Sequence, residues 1–265
     1  MYSSFQLASK YLSYYLTASN GKGHGIHSPF VFDFIKNVLN DNASYDDYKS
    51  IESLRAKLLR DKTVLTIEDL GAGSSAGPSK QRSIGAVTRH AVKSKKYGQL
   101  LYRIVKYYQP LTAIELGTSL GLTTSYLARA KAESTIYSLE GSTTISELAR
   151  KNFEALAVKN VKLVEGNFDY TLPSVLYHLP SIDFVFVDGN HRGKPTLNYF
   201  HWLLPKTRQH TILIFDDVHW SREMEGAWKI IKENAAVSCS IDLFFIGIIF
   251  FRKEFKEKQH FIIRF

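Results

Sequence analysis

Apolar residues along this chain recur with two different periods, and the architecture changes where the period changes. Over residues 5–16 (FQLASKYLSYYL), 29–39 (PFVFDFIKNVL) and 48–60 (YKSIESLRAKLLR) they fall at helical spacing, which predicts three successive helices. Residues 21–29 (GKGHGIHSP) separate the first two with glycines and a proline. From about Tyr97 the pattern alternates. Helical stretches at 98–108, 123–131, 144–155, 172–179, 195–204 and 224–233 are interleaved with short apolar runs at 112–115, 135–139, 161–165, 182–187 and 211–215. Near-continuous apolar strands between amphipathic helices predict a parallel sheet covered on both faces. At the end, 241–251 (IDLFFIGIIFF) and 261–265 (FIIRF) read as two more strands joined by a charged link, an antiparallel pair. The expectation is a Rossmann-like, doubly wound α/β domain over 97–265, preceded by a helical cap and loop region over 1–96.

In such sheets ligands sit beyond the carboxyl ends of the strands, so the residues that follow each strand carry the chemistry. Here five strand ends bear a carboxylate or amide: Glu115 with the turn to Gly121, Glu140, Asn167-Phe168-Asp169, Asp188-Gly-Asn-His191, and Asp216-Asp217. The first two form a unit. An apolar run ends in Glu115, a turn with Gly117 and Gly121 opens a helix, and a second apolar run ends in Glu140. A carboxylate at the end of that second strand can accept hydrogen bonds from both hydroxyls of a ribose. The spacing Gly117-Thr118-Ser119-Leu-Gly121 is G-x-x-x-G, not the G-x-G-x-x-G that brings backbone up to a pyrophosphate. No G-x-x-x-x-G-K-[ST] occurs in the chain. Glu115 would repel a phosphate and suits a ligand with a positively charged amino group.

This motif resembles the first motif of the class I S-adenosylmethionine-dependent methyltransferases, [DE]-x-G-x-x-x-G, with Glu140 at that family's ribose-binding position. The resemblance implies a seven-stranded sheet, mostly parallel with an antiparallel last strand. It implies S-adenosylmethionine as cofactor, bound by Glu115, Gly117, Thr118, Ser119, Gly121, Glu140 and Gly141. Asn167 or Asp169 would then bond the adenine amine, with Phe168 near the ring. Over about residues 97–232 the pattern is most similar to the catechol and caffeoyl-CoA O-methyltransferases, through YGQLL before the first strand and Asp188 with Asp216-Asp217 before Trp228. There Asp188, Asp216 and Asp217 would stand at the ligands of a divalent ion, usually Mg2+, which lowers the pKa of the acceptor's hydroxyls. Those enzymes place a lysine three residues after the first ligand. Here His191 stands there and can serve as general base near neutral pH, making His191 and Asp188 the expected catalytic pair. Asp217 departs from the family's asparagine, and metal-independent relatives keep the residue at Asp188 to position cofactor or substrate.

Other features narrow the picture less. Asp69-Leu-Gly-Ala-Gly73 also has a cofactor-like spacing, but Ser, Gly and Pro78 follow instead of a helix, so it reads as a loop or lid. His24 and His27 have no carboxylate or cysteine nearby to complete a metal site. The single cysteine, Cys239, excludes an internal disulfide and fits a reducing compartment. The first residues lack the layout of a secretory signal and no apolar run is long enough to span a bilayer, so a cytoplasmic protein without a membrane partner is expected. A net charge of +9 allows an acidic partner, yet the basic residues are dispersed and nucleic acid is not the expected one. N-P-P-[YF], which would orient a nitrogen acceptor, is absent after the fourth strand. O-methylation of a small-molecule hydroxyl is therefore the leading expectation. An RNA or protein methyltransferase, or a regulatory domain that binds the cofactor without catalysis, are the alternatives. Phe5, Leu12, Tyr15 and Leu16 form an apolar face on the first helix, expected to pack on the chain's own core, with a homodimer contact as its other use.

Overall fold

The structure, a computed structural model, describes residues 1–67 and 81–265. The glycine segment at 69–73 lies outside them. The chain forms two compact units, one of Met1–Asp41 with Leu176–Phe265 and the other of Asn42–Val175.

In the first unit α1 (Ser4–Thr17) starts at a capping box in which Ser3 and Gln6 each satisfy the other's backbone N–H. It packs through Leu7, Tyr11, Tyr14 and Ala18 onto Phe244 and Phe245. Phe5, Leu12, Tyr15 and Leu16 are exposed, Phe5 at 84%. The face expected inside is thus the outer one. The helix is apolar on both sides, and the aromatic pair Tyr11 and Tyr14, at edge or tilted contact with Phe244, takes the inner position. Next, α2 (Pro29–Phe34) has Ser28 as its cap and proline at its start, and runs into a π-helical turn over Ile35–Leu39.

The second unit opens with α3 (Asp46–Arg60), followed by an antiparallel ribbon of β1 (Val64–Thr66) and β2 (Gln81–Ser83) and by α4 (Ile84–His90). The hydropathy pattern does not mark the ribbon, because its three-residue strands have no buried residue to alternate with exposed ones. The alternation then follows as expected: α5 (Lys95–Tyr108), β3 (Thr112–Leu116), α6 (Leu122–Ala130), β4 (Thr135–Glu140), α7 (Thr143–Ala155), β5 (Val161–Glu165) and α8 (Phe168–Tyr177). Strands β3, β4 and β5 pair in that order, all parallel. Helices α5 and α6 meet closely because Gly98 has no side chain: a Cβ there would stand 2.7 Å from the Tyr126 ring.

The rest of the first unit is β6 (Phe184–Val187), α9 (Gly193–Leu203), β7 (Ile212–Asp216), α10 (Arg222–Glu233), β8 (Cys239–Asp242), β9 (Ile246–Phe250) and β10 (Gln259–Ile262). Strands β6, β7 and β9 are buried throughout, as strands covered on both faces must be. The strands of the first unit lie in the order β10-β8-β9-β7-β6, and those of the second unit in the order β3-β4-β5.

Two expectations about its end need correction. The run 241–251 is a hairpin, not one strand: β8 and β9 pair antiparallel about a turn in which Phe244 has φ 69° and its N–H donates to Asp242 Oδ1 at 2.9 Å. All-apolar loop residues hide the turn from a hydropathy reading, and Leu243 and Phe244 are themselves buried. The final strand β10 pairs with β8, and in parallel. It cannot pair with β9, whose two edges are already taken by β7 and β8. Thus the hairpin adds one strand to the number expected, and β9 is the one that runs antiparallel to its neighbours. No helix among the described residues is long and apolar enough to cross a membrane.

Candidate active site

In the second unit the chain leaves β3 through a turn built around positive backbone angles, at Gly117 (φ 100°), Ser119 (φ 48°) and Gly121 (φ 74°). Gly117 and Thr118 donate their N–H groups to the carbonyl of Leu139, so the turn is held against the end of β4. At Gly121 a side chain is excluded twice, by its left-handed backbone and by the Phe153 ring, 2.5 Å from where a Cβ would lie. The turn is closed from the other side as Asn152 donates to the Leu120 carbonyl at 2.9 Å.

Glu140 is the hub of this turn. One carboxylate oxygen accepts the Ser119 N–H at 2.8 Å and the other the Ser142 N–H at 3.0 Å. Gly141 lies in the bend between, and Ser142 caps α7 through its own hydroxyl. Each oxygen of an ionised carboxylate has a further lone pair, so a half-buried Glu140 held in this way can still accept from a diol.

Glu115 is fully buried. One of its oxygens accepts from Ser138 at 2.6 Å and from Thr124, and the other, Oε1, has no hydrogen-bond partner. Burial pushes its carboxyl up to about 7, against the pull of the Ser138 and Thr124 hydroxyls and with the added repulsion of Glu140. An orphaned buried acceptor of this kind costs free energy unless a donor reaches it, and a cationic donor would also lower the pKa. Thr118 joins the same cluster through a 2.6 Å contact with Ser138. Asn167 is exposed and its side chain accepts the Asp169 N–H at 2.9 Å, a turn that opens α8 with Phe168 half-buried beside it.

In the first unit, β6 and β7 run parallel with Val187 beside Phe215, which sets the following Asp188 and the strand-terminal Asp216 next to each other. The turn after β6 brings His191 back, with its Nε2 3.6 Å from Asp188 Oδ1. Asn190 shapes that turn at φ 53°, donating to the Tyr199 hydroxyl at 3.1 Å and accepting from Arg192 at 3.0 Å. Single ligand atoms of Asp188, His191 and Asp216 all lie within 4.8 Å of one another. Asp217 is not in this group. Its backbone turns at φ 52°, with its N–H on the Phe245 carbonyl at 2.7 Å, and it borders a small cleft with Leu7, His219, Trp220, Phe244 and Phe245.

Three contributors went unnoticed in the sequence. Ser138 and Thr124 orient Glu115, and Ser138 had a visible signal, a hydroxyl inside an apolar strand directly beside Glu115 in register. His219 is the third, set between Asp242 (2.9 Å) and Glu225 (3.0 Å), with Trp228 donating to the same Asp242 oxygen.

Residues 114–218 match a family model described as a methyltransferase domain, Methyltransf_24. No curated protein matches the chain in sequence. Solved structures similar to it include the SAH-bound methyltransferase PaMTH1 of Podospora anserina, 14% identical with a TM-score of 0.60 over 96% of this chain and 98% of that one. An O-methyltransferase of Bacillus cereus in complex with SAH is 19% identical, with a TM-score of 0.56 over 83% and 97%. The O-methyltransferase TomG of Streptomyces achromogenes, in complex with SAM, is 19% identical with a TM-score of 0.53 over 61% and 82%. At such identities the likeness is one of fold. The chain thus has the fold of these methyltransferases, and its residues 114–218 are similar to a methyltransferase domain.

Proposed function

We propose that the protein transfers the methyl group of S-adenosylmethionine to a hydroxyl oxygen of a small molecule. The observation that carries this reading is the Glu140 carboxylate, fixed by the Ser119 and Ser142 N–H groups at the end of β4 beside the glycine turn. Glu140 would take the ribose hydroxyls and Gly117 to Gly121 the amino-acid end of the cofactor. The orphaned Oε1 of Glu115 would accept from its ammonium group. Phe168 and Asn167 would border the adenine. The solved structures of this fold that hold SAM or SAH support the same cofactor.

Because the sulfonium is already activated, the protein's part is to align acceptor oxygen, methyl carbon and sulfur, and to exclude water. The acceptor needs to be anionic, or to lose its proton as it attacks. Asp188, His191 and Asp216 are the residues that would serve this, as a proton acceptor at His191 or as ligands of a divalent ion. When bound, such an ion lowers the pKa of a coordinated hydroxyl. The N-terminal region 1–96 would cap the acceptor. TomG and the Bacillus cereus enzyme are O-methyltransferases, which favours oxygen over nitrogen as the acceptor atom.

The test is transfer of labelled methyl groups from S-adenosylmethionine to a panel of catechol, phenol, sugar and RNA acceptors, with and without divalent ions. Labelling of a hydroxylated small molecule supports the reading. Labelling of RNA alone would replace it, and SAH binding without transfer to any acceptor would point to a regulatory domain.

A further inference from the structure

The three residues gathered at the ends of β6 and β7 are two carboxylates and an imidazole, and that differs from an all-oxygen set. Asp188 and Asp216 are fixed as next neighbours by the parallel register of Val187 with Phe215. His191 is returned to them by the turn at Asn190, itself tied to Tyr199 and Arg192. Ligand atoms within 4.8 Å of one another need only small side-chain adjustments to reach a common ion, since ligands about 2.1 Å from a metal stand roughly 3–4 Å apart. Magnesium prefers an octahedron of oxygens and keeps its waters, whereas imidazole nitrogen favours first-row transition ions and zinc. Asp217, the remaining carboxylate of the sequence pattern, stands apart from the group, at the cleft with His219 and Phe245.

We infer that Asp188, His191 and Asp216 form a mixed nitrogen and oxygen site for one first-row transition or zinc ion, with His191 Nε2 as a ligand and Asp217 outside the set. This deepens the proposed function and rests on it for what the ion does, but not for whether the ion binds. Its consequence for the chemistry is that an occupied His191 is no longer a proton acceptor. The acceptor's proton must then leave to solvent or to another base.

The test is titration of the metal-free full-length protein with Mn2+, Co2+, Zn2+ and Mg2+ by calorimetry, with the visible absorption of Co2+ as a second readout of nitrogen ligation. The wild type is expected to bind one Co2+ or Zn2+ at least about tenfold more tightly than Mg2+. His191→Ala should abolish that preference and change the Co2+ spectrum, Asp216→Asn should weaken every ion, and Asp217→Asn should change neither. Retained preference and spectrum in His191→Ala would overturn the inference. So would an Asp217→Asn loss as large as that of Asp216→Asn, or the lack of any one-to-one ion in a folded wild type. SAH titration of the same samples checks that the variants fold and keeps the two readings apart. SAH binding without an ion sinks only this site, and ion binding without SAH sinks the cofactor reading while the site stands.

Discussion

The carboxylate of Glu140 accepts the backbone N–H of Ser119 at 2.8 Å, across 21 positions of sequence. The bond ties the glycine turn after β3 to the end of β4 and fixes the carboxylate proposed to take the ribose before any ligand arrives. Such preorganisation lowers the ordering cost of binding. It also means that a change at one partner disturbs the other.

Glu115 should make cofactor binding depend on pH. Its carboxyl titrates near 7 in the folded protein because it is buried with one oxygen unpartnered. If the ionised form receives the cofactor's ammonium, SAH affinity should rise about tenfold between pH 6 and pH 8. In Glu115→Gln the rise should vanish. Calorimetric titrations at the two pH values decide it, and an equal rise in both proteins contradicts the role.

The same group should affect stability in a definite window. Its folded pKa lies above the unfolded one, so the native state holds the proton more tightly and stability falls as pH rises from about 4.5 to about 7. Glu115→Gln removes that loss. Its advantage over the wild type, up to about 3 kcal/mol without ligand, should be present at pH 8 and absent at pH 4.5. Thermal melts of the ligand-free proteins provide the comparison.

His219 should act in the opposite sense to a buried neutral histidine. Burial disfavours its charge, yet bonds to Asp242 and Glu225 hold its pKa above the ordinary value. A raised histidine pKa contributes stability that is complete below about 6.5 and is lost as pH rises through the folded value. The wild-type melting temperature should therefore fall more steeply than that of His219→Gln on going from pH 6 to pH 9. Parallel slopes would show that the imidazolium contributes nothing there.

Gly121→Ala should be costly for two reasons that can be separated. A Cβ meets the Phe153 ring at 2.5 Å, and the backbone angle of 74° is strained for alanine. A loss of about 2–3 kcal/mol is expected in chemical denaturation. Adding Phe153→Leu should restore only the steric part.

The sheet and its strand ends were legible because burial on both faces writes long apolar runs, and because β3 to β7 follow one another with helices between. Glu115, Glu140, Asp188 and Asp216 were found by position alone, as the polar residues at which such runs stop. What pattern does not encode is direction. The apolar run through Leu243 and Phe244 bends although every residue in it is buried. Helix α1 is apolar on two faces, and only the rings of Phe244 and Phe245 decide which is inner. Asp216 and Asp217 are adjacent in sequence, and a single φ of 52° separates their surroundings. His219 gave no signal, since its partners lie 6 and 23 residues away and neither forms a motif with it.

The most direct test of the central claim is SAH titration of the wild type and of Glu140→Ala, with circular dichroism to show that both are folded. One SAH site is expected in the wild type, with a loss of affinity of about tenfold or more in the variant, about 1.4 kcal/mol per tenfold. Unchanged affinity in a folded Glu140→Ala, or no SAH binding by the wild type, would contradict it.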